Sequence, residues 1–278
     1  MVKSKKQIPI PELLKRSERL KTVAHEKMGQ WSDDVAWAKG ARDCLDECLG
    51  GVSFDPIDLL EASMFREGPR PTFLNLSFSQ HPLTLWSSEE MSLDVYYWRP
   101  GETTLHDHGF HGAFMPVVGE YAEVVYDFKL TEDLGRGLEL GVLTKIRDQE
   151  LLAVGKATAI YHAPLFIHQV THQSYCVTLC LRSRFQGREI SDYFFPGIKV
   201  AGNSTLSISA REDLQRLAIL QEMRPEKVRP LIKAIPLGTL GRWWLKDLSE
   251  GQHRTLMPLI KEELLGRPHG KTLLSCLI

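Results

Sequence analysis

No apolar run in this sequence approaches the ~18 residues that a bilayer-spanning helix needs, and no segment repeats another or is of low complexity. A membrane-spanning protein and a repeat array are thereby set aside. Charge of one sign is also lacking: 34 Lys and Arg stand against 35 Asp and Glu, a net charge of -1. Nucleic acid and anionic membrane are not expected as partners, because both are bound through a cationic excess. Cysteine is scarce and odd in number, with five residues at Cys44, Cys48, Cys176, Cys180 and Cys276. That excludes a dense disulfide framework and predicts reduced thiols in the cytoplasm. The basic start from Met1 to Gln7 has no apolar stretch behind it, so no secretory signal is expected.

With 43% apolar residues the chain can bury a sizeable core, and 25% charged residues is ordinary for a globular protein. A length of 278 residues suits one core domain with extensions, or two domains. Three stretches differ in pattern. Residues 1–70 read as helical. Pro11 opens a charged amphipathic stretch, Ser32-Asp33-Asp34 is an N-cap signal ahead of Val35, Trp37 and Ala41, and Gly50-Gly51 is a stop. Asp55-Pro56 begins a third helix over Leu59, Leu60 and Met64. Residues 71–203 hold short runs rich in β-branched and aromatic residues, separated by Gly, Asp and Pro. The clearest are Leu93–Trp98, Tyr121–Phe128, Leu138–Leu143, Ala157–Tyr161 and Tyr175–Arg182. Their spacing predicts an antiparallel sandwich or barrel. Residues 204–278 return to helix. Ser209-Ala-Arg-Glu212 reads as a capping box, Pro225, Pro236 and Pro258 punctuate short pieces, and Trp243-Trp244 reads as a helix–helix packing site.

Ten histidines are present, and six of them (His106, His108, His111, His162, His168 and His172) lie in the β stretch. On a strand, residues two apart point to one face. His106 and His108, within Gly101-Glu-Thr-Thr-Leu-His106-Asp-His108, can therefore aim at one point inside a barrel. A third ligand must come from a distant strand, and Phe166-Ile-His168-Gln-Val170 offers His168. Imidazole suits Fe, Zn, Cu or Ni, and three protein ligands leave coordination positions open, as catalytic sites do. His111 and His172 can hydrogen-bond around the ligands or the substrate, and His172 is the substitute third ligand. His162 is expected to point away. Cys176, Thr178, Cys180 and Arg182 share one strand face, opposite Val177, Leu179 and Leu181. If that face lines the cavity, Arg182 can fork onto a substrate carboxylate; the alternative is a solvent-side Arg. Cys44 and Cys48, one helical turn apart, are expected in the core.

These motifs resemble the cupin signature, in which a Gly precedes a His-x-His pair, a Glu follows, a second Gly closes the motif and a later motif adds one more His. Gly101 and Gly119 stand near the two glycine positions. The Glu position falls on Gly112, and Glu120 lies too late to replace it, so the resemblance implies a three-histidine site. Among such cupins, His106-Asp-His108 followed by His111, Phe166-Ile-His168-Gln-Val170 and Tyr175–Arg182 look like the cysteine dioxygenase branch, over roughly residues 70–200. In that family three histidines hold Fe(II), leaving one face for thiolate, amine and O2. The chain departs from it at two places. Gly112 stands where mammalian-type members carry a cross-linked Cys, and Thr178, Cys180 and Arg182 stand where the family has a Ser-His-Tyr relay.

The resemblance implies a mainly β fold: a cupin barrel, that is a double-stranded β-helix or jelly roll, over residues 71–203 with helical N-terminal and C-terminal extensions. It implies Fe(II) on His106, His108 and His168, with Zn, Ni, Mn or Cu as alternatives, and dioxygenation of a small thiol to a sulfinic acid with His111, His172 and Arg182 about the substrate. The partners are then a small-molecule substrate and O2, in the cytoplasm, with a homodimer as an open assembly. The alternatives are another cupin metalloenzyme (a non-thiol oxygenase or an isomerase of specialised metabolism) and a non-catalytic cupin that senses a metal or ligand.

Overall fold

The computed structural model describes residues 6–63, 83–162, 164–184, 190–201, 208–247 and 255–276. Two compact units divide the chain: Met1–Asp127 with Lys145–Arg188, and Phe128–Thr144 with Glu189–Ile278. Both composition boundaries, at 70/71 and 203/204, fall outside the described residues. The fold is mainly β, with a closed six-strand barrel and helical N-terminal and C-terminal regions, as expected.

The first unit begins with a two-residue strand β1 (Lys6–Gln7), then α1 (Ile10–Met28), α2 (Asp34–Leu49), β2 (Val52–Ser53) and α3 (Pro56–Ser63). The helix starts follow from local chemistry. Asp33 caps α2 by accepting from the Ala36 N–H at 2.8 Å, and Asp55 accepts from the Ile57 N–H at 2.8 Å ahead of Pro56. Met64, expected in the third helix, lies outside the described residues.

The strands follow as β3 (Leu83–Ser87), β4 (Met91–Trp98), β5 (Gly101–Glu102), β6 (Leu105–His106), β7 (Gly112–Val118), β8 (Tyr121–Asp133), β9 (Leu138–Leu151), β10 (Thr158–Ile160), β11 (Ile167–His172) and β12 (Cys176–Ser183). The five stretches singled out in the sequence fall on β4, β8, β9, β10 and β12. One sheet has the order β10-β7-β12-β4-β3. On another, β11 pairs antiparallel with β5, β6 and the first part of β8.

β12 shows how alternation sorts the two faces. Val177, Leu179 and Leu181 join Leu13, Leu20, Trp37 and Leu45 in one hydrophobic cluster, so the N-terminal helices cover this side of the sheet. Each such side chain contributes about 1.5–3 kcal/mol when fully buried. Thr178 and Cys180 face the other way and line a cavity. Cys44 and Cys48 are buried in the helical cluster, as expected of core residues.

In the second unit, β13 (Ser191–Phe194) pairs with β14 (Ile198–Ala201), and β14 pairs with the Leu138–Leu140 end of β9. Helices α4 (Ile208–Met223), α5 (Pro225–Ala234), α6 (Leu237–Arg242), α7 (Met257–Leu265) and α8 (Gly270–Ser275) complete it. Ser209 lies inside helix α4 instead of capping it. Trp243 and Trp244 are buried together with Leu217, Val228, Ile260 and Leu264, which bears out a helix-packing role.

Candidate metal centre

His106 and His168 are direct cross-strand partners in the β6–β11 ladder. That register puts both rings on one face, with centroids 4.7 Å apart. His108 arrives by another route than expected. The strand β6 ends at His106, so strand alternation does not place His108. It stands in the loop before β7, and that loop turns its ring edge-on to His106 at 4.9 Å and brings its Nε2 within 2.9 Å of His168 Nε2. One ligand atom from each of the three histidines lies within 4.8 Å of the other two, and all three residues are buried.

Hydrogen bonds fix which nitrogen faces the centre. A carbonyl can only accept, so His106 Nδ1 donates to Thr104 O at 2.7 Å and turns its Nε2 lone pair inward. A carboxylate likewise accepts, so His168 Nδ1 donates to Glu123 Oε1 at 2.7 Å. Burial lowers the His106 pKa to about 3, with the neighbouring His168 adding to the effect. Burial, then His106 and His168, push His108 well below its ordinary value. Neutral imidazoles with convergent lone pairs are what a divalent transition metal needs. The donor set therefore fits such a metal, held by His106, His108 and His168.

Glu123 escaped the sequence reading. It sits on β8 opposite Val170 of β11, fully buried, and its other oxygen takes the Arg147 guanidinium. A carboxylate behind a ligating histidine fixes the ring and raises its basicity. The signal was present: a Glu between Ala122 and Val124 in an apolar strand is expensive to bury without a partner. Glu123→Gln is expected to weaken metal affinity by about 10–100-fold, measured by competition with a chelator. Unchanged affinity would show that β11 alone holds His168.

Gly112 explains why no carboxylate ligand occupies the position where the cupin signature has one. Its Cβ would collide with the backbone of Leu181 and Arg182 on the neighbouring strand β12, so no larger residue fits. Gly119 is required for another reason. Its φ of 86° is the left-handed turn that joins β7 to β8, a region side chains avoid.

The other sequence candidates separate. His172 lines the cavity beside the centre and stacks on Trp98 at 4.8 Å; burial lowers its pKa to about 4. His111 faces the N-terminal helices: its Nδ1 lies 3.3 Å from Asp34, and its ring meets Trp37 edge-on. His162 shares Asp34 at 2.6 Å, away from the three-histidine cluster. Arg182 is neither on the solvent side nor among the cavity-lining residues. It is 3% exposed, its Nε donates to Asp94 at 2.7 Å, and its guanidinium lies over the Phe110 ring.

The cavity has a volume of about 50 Å³. Besides the three histidines and His172, its walls include Tyr96, Trp98, Phe110, Phe114, Tyr121 and Cys180. The hydroxyl of Tyr121 is buried and meets no hydrogen-bond partner among the described residues.

No family model matches the chain, and no curated protein matches it. Solved structures do show likenesses. A cupin-2 domain-containing protein from Shewanella frigidimarina is 12% identical, with 45% of this chain and 91% of that one covered at a TM-score of 0.28. A double-stranded β-helix protein from Klebsiella pneumoniae is 12% identical, covering 48% and 98% at 0.26. Hydroquinone 1,2-dioxygenase from Sphingomonas sp. TTNP3 is 8% identical, covering 43% and 84% at 0.28. At these identities and scores the fold rests on the chain's own strand pairings.

Proposed function

We propose that this chain is a metal-dependent cupin oxygenase, with Fe(II) as its metal and with O2 and a small molecule as its substrates, acting in the cytoplasm. The observation that supports it is the convergence of three buried histidines at the edge of an aromatic cavity. Fe(II) held by three neutral ligands keeps coordination positions for substrate and O2. The protein's own part is to orient the ligands through Thr104 and Glu123, and to exclude bulk water with Phe110, Phe114 and Trp98. Among the described residues no helix is long and apolar enough to cross a membrane.

Dioxygenation of a small amino-acid thiol is the finer reading that the histidine pattern suggests. It needs a cation for the carboxylate, and Arg182 is already held by Asp94. The cavity favours an uncharged substrate instead. The test is O2 uptake by anaerobically iron-loaded protein with two panels, small thiols and small uncharged ring compounds. Uptake stimulated by a ring compound supports the reading, and uptake stimulated by cysteine restores the thiol branch. Stoichiometric iron with no uptake in either panel would point to a sensor or an isomerase.

A further inference from the structure

We infer that the cavity accepts a flat, uncharged aromatic hydroxyl compound, with Tyr121 hydrogen-bonding its oxygen. This deepens the oxygenase reading above and rests on it for the placement of the substrate beside the three histidines.

Charge comes first. Among the described residues, none that lines the cavity is Lys, Arg, Asp or Glu. The nearby buried charges are matched outside it: Arg182 with Asp94, and Glu123 with Arg147 and His168. Asp94 is further held by Thr84 at 2.6 Å and Ser92 at 3.1 Å, and neither Asp94 nor Arg182 is among the described residues that line the cavity. A carboxylate or ammonium carried away from the metal would enter this space without a counter-ion, and an unpaired buried charge is strongly disfavoured.

Shape comes second. Tyr96, Trp98 and His172 form a continuous stack, with interplanar angles of 19° and 13°. Phe114 packs against Tyr121 at 5.5 Å, and Phe110 against His108 at 4.9 Å. A slot walled by ring faces and edges suits a ring through offset stacking and edge contacts. The cavity of about 50 Å³ corresponds to a few water positions, which limits the substrate to a small ring.

The polar anchor comes third. Most polar side chains around the cavity are engaged: Thr178 Oγ1 accepts from Trp98 Nε1 at 2.9 Å, and Thr103 Oγ1 accepts from the Val170 N–H at 3.0 Å. The Tyr121 hydroxyl, by contrast, meets no partner among the described residues. Burial, first, and the charge of Glu123, second, push its pKa well above the ordinary value, so it stays a neutral donor. A buried donor with no protein partner is satisfied by an oxygen on the ligand or by a water that the ligand displaces.

The experiment uses the full chain loaded with Zn(II), which is redox-silent, and calorimetric titration with three probes that share a phenol: 4-methylphenol (neutral), 4-hydroxyphenylacetate (anionic) and tyramine (cationic). The expected result is that 4-methylphenol binds at least about tenfold more tightly than either charged probe. It is further expected that Tyr121→Phe weakens 4-methylphenol at least about fivefold with Zn(II) content unchanged. Equal or tighter binding of a charged probe would overturn the substrate class, and an unchanged affinity in Tyr121→Phe would overturn the role of the hydroxyl. If Tyr121→Phe fails to fold, the charge series on the wild-type chain decides alone. If the chain takes up neither Zn(II) nor Fe(II), nor any of Ni(II), Mn(II) and Cu(II), the oxygenase reading fails, while the same charge series without metal still tests the cavity.

Discussion

Replacing Arg182 by Met is expected to destabilise the chain by about 3–5 kcal/mol, the usual consequence of removing one member of a buried ion pair. The reason lies in what is left behind. Asp94 is fully buried, and Arg182 Nε is its cationic partner at 2.7 Å. Thr84 and Ser92 would still donate to the carboxylate, but two hydroxyls do not neutralise a charge in an apolar sheet. Urea unfolding of Arg182→Met, Asp94→Asn and the double variant measures this. Asp94→Asn should cost less than Arg182→Met, because it strands a guanidinium at the end of a longer, more adaptable side chain. The double variant should recover part of the loss, since neither charge is then stranded. A substrate-binding Arg would behave otherwise: its removal would leave the urea midpoint nearly unchanged and raise KM. The first pattern is the one this structure predicts.

His106→Ala, His108→Ala and His168→Ala are each expected to remove metal binding while the barrel still folds. Two remaining imidazoles make an incomplete donor set, and loss of one of three ligands should lower affinity by more than about 100-fold, beyond the effect of disturbing a supporting residue. The rings are buried side chains of a short strand, a loop and β11, burial disfavours the charged form of His106 and His108, and Arg147 still pairs Glu123 when His168 is removed, so truncation leaves no stranded ion. Metal analysis after dialysis, together with circular dichroism, checks both halves. His111→Ala is the control. Its ring points to Asp34 and Trp37, so it should keep full metal occupancy. Metal retained in His106→Ala and lost in His111→Ala would reverse the assignment.

What could be read from the sequence follows the range of the interaction involved. The cap at Asp33, the start at Pro56 and the strand alternation of β12 depend on neighbours within a few residues, and all three stand in the structure. That His106, His108 and His168 come together was also legible, because the motif spacing carries the register of the barrel. The route of His108 was not: strand periodicity was applied across a segment where β6 stops at His106, and the loop does the placing. Arg182 shows the larger gap. Its face was right, but its partner Asp94 is 88 residues away along the chain, and only the β4–β12 ladder brings them together. Glu123 and Tyr121 share that limit, since a polar residue in an apolar strand shows a need for a partner without naming it. Gly112 could be seen as a missing carboxylate, whereas the reason for it, the closeness of β12, is a matter of packing.

The central claim is that His106, His108 and His168 form one metal centre. Anaerobic titration of the wild-type chain with Fe(II), followed by metal analysis of the desalted protein, tests it most directly. About one tightly held ion per chain is the predicted result, since one donor set of three converging imidazoles is present among the described residues. No retained iron, and none of Zn(II), Ni(II), Mn(II) or Cu(II) when these are offered in turn, would contradict it and leave the three histidines as a buried polar cluster.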